Sequence, residues 1–175
     1  MKQGLGFRVQ RSGLLVLLVA LVGASVGAQE IQLGAARAAA QKGHVVLVSD
    51  AIAVQAGKPQ FVELRFHVDQ GFHINSHTPK DELLIPTVLK LDSVSGMNVV
   101  SEEYQKGSAF RLSVGAGGGQ GEMLDVYQGD FRVNVRLVVP KGSSTLTGSL
   151  HYQACDSTAC FPPKTLPVMV AVTGE

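Results

Sequence analysis

The 175-residue sequence contains no Trp, only three Tyr and seven Phe, and only two Cys. The scarcity of aromatic side chains argues against a platform on which sugar rings stack. The 15 basic and 14 acidic side chains nearly balance. No basic patch is interleaved with aromatic residues, so a nucleic-acid interface is not expected. The sequence has no Gly-x-Ser-x-Gly motif, and hydrolase chemistry of that type therefore has no support.

Long apolar runs are also scarce, and the one clear run lies near the N-terminus. Lys2, Arg8 and Arg11 precede an apolar core of nine residues over 14–22, and small residues follow it as far as Ala28. This order of positive charge, apolar core and small residues is typical of a secretory signal peptide. The core is far shorter than the roughly 20 residues that span a bilayer.

We therefore predict a signal peptide over residues 1–28, with cleavage after Ala28. An uncleaved N-terminal anchor is the alternative. The product is expected to be soluble and periplasmic or otherwise exported, without stable membrane insertion after cleavage. Residues 29–43 are rich in Ala and Gln and predict a lead-in segment. Residues 44–175 are long enough to bury the core of a single domain.

The rest of the chain shows the period-two alternation of half-buried antiparallel strands. In the run 61–68, Val62, Leu64, Phe66 and Val68 fall on one face, and polar residues fall on the other. Three further runs alternate in the same way, over 131–139, 145–152 and 166–172. Weaker strands are predicted over 45–54, 87–91, 97–101 and 110–114. Short strands separated by turns, with no long helical pattern, predict an all-β, immunoglobulin-like antiparallel β-sandwich.

One low-complexity stretch interrupts this pattern, the glycine-rich segment 115–121. A segment of this composition cannot pack, so a mobile loop is predicted. Two interpretations stay open: a tolerated insertion at the tip of a hairpin, and a hinge for a flap over a functional site.

The two cysteines, Cys155 and Cys160, have four residues between them and lie between two strand-like runs. A disulfide here would close a very small ring, and stabilisation by chain entropy grows with loop length. Such a bond is a poor structural staple and a candidate for thiol–disulfide exchange, which needs an accessible sulfur and a second cysteine. The spacing is not Cys-x-x-Cys, and two cysteines cannot build a zinc site alone. Composition and spacing therefore leave an ordinary secreted disulfide as the competing interpretation.

Three histidines, His67, His73 and His77, fall within eleven residues and raise the question of a metal site, because imidazole binds copper and zinc. No cysteine or methionine lies near them in sequence, and the alternation places His67 on the polar face of its strand. We predict no metal site. The alternative, a periplasmic copper-handling domain, would retain stoichiometric metal after purification.

Three stretches of the sequence carry a family resemblance. Residues 152–165 read Tyr-Gln-Ala-Cys at their start and Cys-Phe-Pro-Pro-Lys-Thr at their end. This segment resembles the active-site segment of the N-terminal periplasmic domain of DsbD, the thiol:disulfide interchange protein. Residues 71–79 with 84–87, and residues 126–131, match the same family in order. The family often has five residues between its cysteines, whereas this chain has four.

The resemblance implies an immunoglobulin-like electron-transfer module with a reversible Cys155–Cys160 disulfide. By similarity, Cys160 forms mixed disulfides with partners and Cys155 resolves them, while Phe161 and Pro162 flank the site as the active-site turn. Thioredoxin-fold redox proteins are the implied partners. No cofactor is needed, because both electrons reside in the sulfurs. The membrane and thioredoxin-like domains of the full-length family protein are not found in this sequence, so a separate membrane electron donor is expected.

The family also covers its disulfide with a cap loop that opens when a partner docks. Residues 122–127 lie in the corresponding region, and Leu124 or Tyr127 is predicted to be the shielding side chain. The competing function is a non-catalytic secreted immunoglobulin-like binding module whose disulfide pins one hairpin. That alternative predicts a reduction potential below about −300 mV.

Overall fold

A computed structural model describes residues 43–92, 96–112 and 121–175 of the protein, and these ranges contain twelve strands and no helix. The strands are β1 (Val45–Leu47), β2 (Ile52–Val54), β3 (Gln60–Val68), β4 (His73–Asn75), β5 (Val88–Leu91), β6 (Asn98–Tyr104), β7 (Ser108–Arg111), β8 (Met123–Tyr127), β9 (Asp130–Val138), β10 (Gly142–Tyr152), β11 (Ala154–Cys155) and β12 (Lys164–Gly174). The predicted signal peptide, nearly all of the lead-in segment and the glycine-rich stretch up to residue 120 lie outside the described residues.

The strands form three four-stranded sheets. Sheet A has the order β1-β3-β9-β6, sheet B the order β2-β12-β10-β5, and sheet C the order β11-β4-β8-β7. Neighbouring strands are antiparallel, apart from β2, which runs parallel to β12. In the described ranges, no helix is long and apolar enough to cross a membrane.

A single hydrophobic core joins the inner faces of the three sheets, and the alternating side chains of the long strands build it. Val62, Leu64, Phe66 and Val68 of β3 are at most 3% exposed, whereas the residues between them remain at least partly exposed. Burying a large apolar side chain completely contributes roughly 1.5–3 kcal/mol. This period-two burial on β3, β9, β10 and β12 confirms the predicted all-β, immunoglobulin-like antiparallel β-sandwich.

The strand predicted over 45–54 is wrong in its extent. The run 45–54 is two short strands rather than one, because β1 pairs with β3 in sheet A whereas β2 pairs with β12 in sheet B. The chain leaves sheet A after Val48, where the hydroxyl of Ser49 accepts the backbone N–H of Arg65 at 2.7 Å. A side chain thereby replaces the next backbone partner of β3 and ends the pairing.

The sequence also did not predict β4, β8 and β11. These strands have three, five and two residues, so they offer too few positions for an alternation to be recognised. All three belong to sheet C, which carries Cys155. The region that the sequence described least well is therefore the region of the candidate site.

Candidate functional site

Sheet C fixes the direction in which Cys155 points. The pairing of β11 with β4 sets Ala154 opposite Ile74 and Cys155 opposite His73. Because side chains alternate between the two faces of a strand and opposed residues share a face, the two pairs point in opposite directions. Ala154 and Ile74 belong to the hydrophobic core. Cys155 and His73 consequently share the other face, here called the cysteine face.

The disulfide joins a buried residue to an exposed one. Cys155 and Cys160 are bonded, with their Cα atoms 3.9 Å apart, and an antiparallel bridge pairs their backbones. Cys155 is 2% exposed, whereas Cys160 lies on the surface. Thiol–disulfide exchange requires access to the sulfur that is attacked. The arrangement therefore favours Cys160 as the residue that an incoming thiolate reaches first.

Asp156 folds the turn between the two cysteines. Its Oδ1 atom accepts hydrogen bonds from the backbone N–H and the hydroxyl of Thr158, both at 2.7 Å, and from the N–H of Ala159 at 2.8 Å. The backbone N–H of Asp156 donates to the carbonyl of Ala159 at 2.9 Å. An Asp side chain that satisfies backbone donors two or three residues later is a common way to close a turn.

These bonds favour the charged form of the carboxyl group. The Thr158 hydroxyl, followed by the backbone N–H groups of Thr158 and Ala159, holds the pKa of Asp156 below its ordinary value of 3.8. The carboxylate, rather than the acid, is thus the species that organises the turn at neutral pH.

Phe161 attaches the other end of the turn to the domain. Its N–H donates to the carbonyl of Ala154 at 2.8 Å, and the amide of Gln153 donates to its carbonyl at 3.0 Å. The Phe161 ring lies in a cluster with His44 and Phe72, whose own rings stack with centroids 3.5 Å apart. The residue next to Cys160 is therefore held by both backbone and ring contacts.

Pro162 and Pro163 follow at the surface. Every described peptide bond is trans, including those that precede these prolines. Neither residue has a backbone N–H, and the fixed φ of the pyrrolidine ring stiffens the chain as it enters β12. The exposed Cys160 and Pro162 accordingly lie on either side of an anchored Phe161.

His73 also lies in this site, although the sequence led us to consider it only as a metal ligand. It is 2% exposed, and the Phe110 ring lies 4.3 Å from its imidazole ring, centroid to centroid. Burial lowers the pKa of His73 below 6.5, and the weaker opposing effect comes from the charge of Asp156. The imidazole is therefore neutral at neutral pH. The sequence signal was present, because His73 lies within the 71–79 block of the family resemblance.

Leu124, one of the two predicted shielding residues, lies on the cysteine face. On β8 it is opposite Phe110, and two residues later Val126 is opposite Asn75 of β4. Because Asn75 and His73 point the same way, Leu124 shares their face. It is 7% exposed. Its shielding of the disulfide stays a prediction.

Tyr127, the other predicted shielding residue, points to the opposite face. It lies opposite Ile74, and its ring stacks on Phe131 in the core with centroids 4.6 Å apart. Its hydroxyl donates to the carbonyl of Gln105 at 2.7 Å. Burial raises the pKa of Tyr127. The structure brings Leu124, but not Tyr127, onto the same face as Cys155.

The other two histidines of the predicted trio have separate partners. Nδ1 of His67 lies 2.6 Å from a carboxylate oxygen of Asp130. Nδ1 of His77 lies 3.0 Å from the carbonyl oxygen of Thr87, and its ring stacks on Tyr104 at 3.6 Å. Within the described ranges, no group of three His, Cys, Asp or Glu side chains is arranged to hold a metal ion.

The hydrogen bond from the Thr158 hydroxyl predicts that removing this hydroxyl changes the pKa of Asp156. Thr158→Ala is expected to move the pKa of Asp156 upward towards 3.8, because the largest cause of its depression is removed. The carboxylate supports the turn above about pH 3.8, and this support is lost as pH falls through the lower folded-state pKa. Carboxyl ¹³C NMR across an acid titration measures the change, with Ser157→Ala as the control. An unchanged titration in Thr158→Ala would contradict this account of the turn.

Comparisons with known proteins identify the family of the chain. Residues 43–171 match the family model described as "Thiol:disulfide interchange protein DsbD, N-terminal". None of the curated proteins matches the chain. Among solved structures, the chain is similar to the reduced N-terminal domain of DsbD from Neisseria meningitidis, with 18% identity over 74% of this chain and 84% of that chain and a TM-score of 0.43. Because the family model spans well over half of the 175 residues, the chain belongs to the family of DsbD N-terminal domains.

Proposed function

We propose that this protein is a thiol:disulfide exchange module that relays reducing equivalents through a reversible Cys155–Cys160 disulfide. The observation that carries the proposal is the division between the two sulfur-bearing residues, one exposed and one buried, in a member of a thiol:disulfide interchange family. An exposed cysteine can form a mixed disulfide with a partner protein, and a buried cysteine can then resolve it. Both electrons reside in the sulfurs, so the reaction needs no cofactor.

The proposed reaction has two exchange steps. In the reduced domain, the Cys160 thiolate attacks one sulfur of the partner's disulfide, a mixed disulfide forms, and the partner's second sulfur leaves as a thiolate. Cys155 then attacks Sγ of Cys160, which closes the Cys155–Cys160 bond and releases the partner's remaining sulfur as a thiolate. Two electrons have then passed to the partner. The reverse sequence, with a reduced donor, restores the dithiol.

The proposed partners are thioredoxin-fold redox proteins, together with a separate membrane protein that donates electrons. Family membership supports this choice of partners. The site itself adds a geometric reason, because Cys160 and Pro162 are exposed on an anchored turn that a second protein can approach. The site thus offers a reactive sulfur at the surface and requires no deep substrate pocket.

Trapping the mixed disulfide tests this function. With oxidised thioredoxin-fold disulfide isomerase, Cys155→Ser is expected to form a covalent complex through Cys160, because no resolving thiol remains. Cys160→Ser is the matched control, since it also retains one thiol. It should react at least about tenfold more slowly, because Cys155 is buried and access limits exchange. Non-reducing gels and intact mass follow the complex.

Failure of Cys155→Ser to form a mixed disulfide with any thioredoxin-fold protein would contradict the proposed function. Equal trapping by both variants would contradict the assignment of Cys160 as the attacking cysteine. In the first case, the non-catalytic binding module would become the better description.

We also propose that the chain is exported to the periplasm. The support is the charge, apolar core and small-residue order of residues 1–28 together with the periplasmic setting that the family resemblance implies. Expressed from its full sequence in a Gram-negative host, the protein is expected to be recovered from the periplasmic fraction with Gln29 at its N-terminus. N-terminal sequencing provides the measurement. Recovery of the intact N-terminus in the cytoplasm would argue against export.

A further inference from the structure

The buried side chain of His73 has an unpaired nitrogen atom beside the disulfide. Among the described residues, its Nε2 is the only buried side-chain nitrogen or oxygen that lacks a hydrogen-bond partner. Buried polar atoms are almost always paired, because leaving one unpaired costs free energy. An exception next to a reactive group therefore requires a chemical explanation.

Cys155 is the neighbour that can provide the missing hydrogen-bond partner of His73. His73 and Cys155 lie directly opposite each other on antiparallel strands and share the cysteine face. At such positions the Cβ atoms are about 4.5–5.5 Å apart, so the two side chains are neighbours. In the disulfide form, Sγ of Cys155 carries no proton. Reduction gives that sulfur an S–H group, which can donate to an unprotonated ring nitrogen.

We propose that His73 is the general base and general acid for Cys155, with Nε2 accepting the thiol proton when Cys155 closes the disulfide and returning it when the disulfide opens. This inference rests on the proposed exchange function and adds a residue to its resolving step. It concerns the buried cysteine alone and leaves the attack by Cys160 unassisted.

The resolving step moves one proton and one electron pair. In the mixed disulfide, the Cys155 S–H proton moves to His73 Nε2, and Sγ of Cys155 forms a bond to Sγ of Cys160. The bond between Cys160 and the partner's sulfur breaks, and that sulfur leaves as a thiolate with the electron pair. The imidazolium then gives its proton to the departing thiolate or to water. In the reverse direction, imidazolium protonates Cys155 as the sulfur leaves.

The surroundings of His73 suit this role. Asp156, on the turn that follows Cys155, is the charged group that acts on the imidazole, and its carboxylate favours the transient imidazolium. From β7 and β8, the cysteine face presents the apolar side chains of Phe110, Leu124 and Val126. Burial keeps the resting ring neutral, and a neutral imidazole has one unprotonated nitrogen that can accept a proton.

Two-phase kinetics with the aromatic disulfide 5,5′-dithiobis(2-nitrobenzoate) isolates the resolving step. The reduced domain releases one nitrothiobenzoate when the exposed Cys160 attacks, and a second when Cys155 closes the intramolecular bond. His73→Gln retains a polar side chain that cannot take up a proton, and His73→Phe retains an aromatic ring. We expect both variants to slow the second release about tenfold or more at pH 7, with the first release unchanged.

The pH profile separates proton transfer from a purely structural effect. Without the base, the rate of the second release should follow the thiolate fraction of Cys155 and rise steeply between about pH 6 and 8. With His73 present, the rise should be shallower. His77→Gln is the control, because it replaces a histidine four residues away in sequence that stacks on Tyr104. Thermal unfolding of each variant checks the fold, and His73→Gln suffices if His73→Phe does not fold.

An unchanged second release in His73→Gln would overturn the inference, and so would an equal slowing of both releases. The reagent is not a biological partner, so these rates are measured whether or not a thioredoxin-fold protein is trapped by Cys160. Failure of the trapping experiment would overturn the proposed function, whereas failure of this experiment would remove only His73 from the mechanism.

Discussion

The pairing of β11 with β4 is the constraint on which the site depends. The pairing places Ala154 in the hydrophobic core and Cys155 on the opposite face, beside His73. A shift of one residue in this register would exchange the two directions and bury the sulfur in the core. The packing of Ala154 and Ile74 resists that shift, because it would expose both to solvent. The core of the sandwich therefore determines which way Cys155 points.

The turn that follows gives the two cysteines different access to solvent. Asp156 closes the turn through its own hydrogen bonds, and Phe161 fastens the chain again through the carbonyl of Ala154. These bonds do not involve the sulfur atoms, so opening the disulfide leaves them available to hold the turn. If these bonds persist after reduction, the turn keeps Cys160 at the surface and within reach of Cys155. The short ring suits a bond that is made and broken repeatedly rather than one that staples the fold.

The sequence predicted the fold where strands are long and half buried. Runs such as 61–68 contain enough alternating positions to show their core face, and the β-sandwich and the DsbD N-terminal family are both confirmed. The short strands of sheet C gave no such pattern, so the neighbourhood of His73 and Cys155 could not be derived. It arises from a register between β4 and β11, which lie about 80 residues apart. The same limit applies to Tyr127. The pairing of β8 with β4 sets the face of sheet C to which its side chain points, and the local sequence does not reveal that face.

The reduction potential of the Cys155–Cys160 couple tests the central claim most directly. Equilibration in defined thiol buffers, followed by alkylation and counting of the modified cysteines by mass, gives the value. A relay must exchange electrons with thioredoxin-fold proteins, so we predict a potential between roughly −180 and −270 mV. A potential well below about −300 mV would mark a bond that such proteins cannot reduce, and would contradict a reversible disulfide.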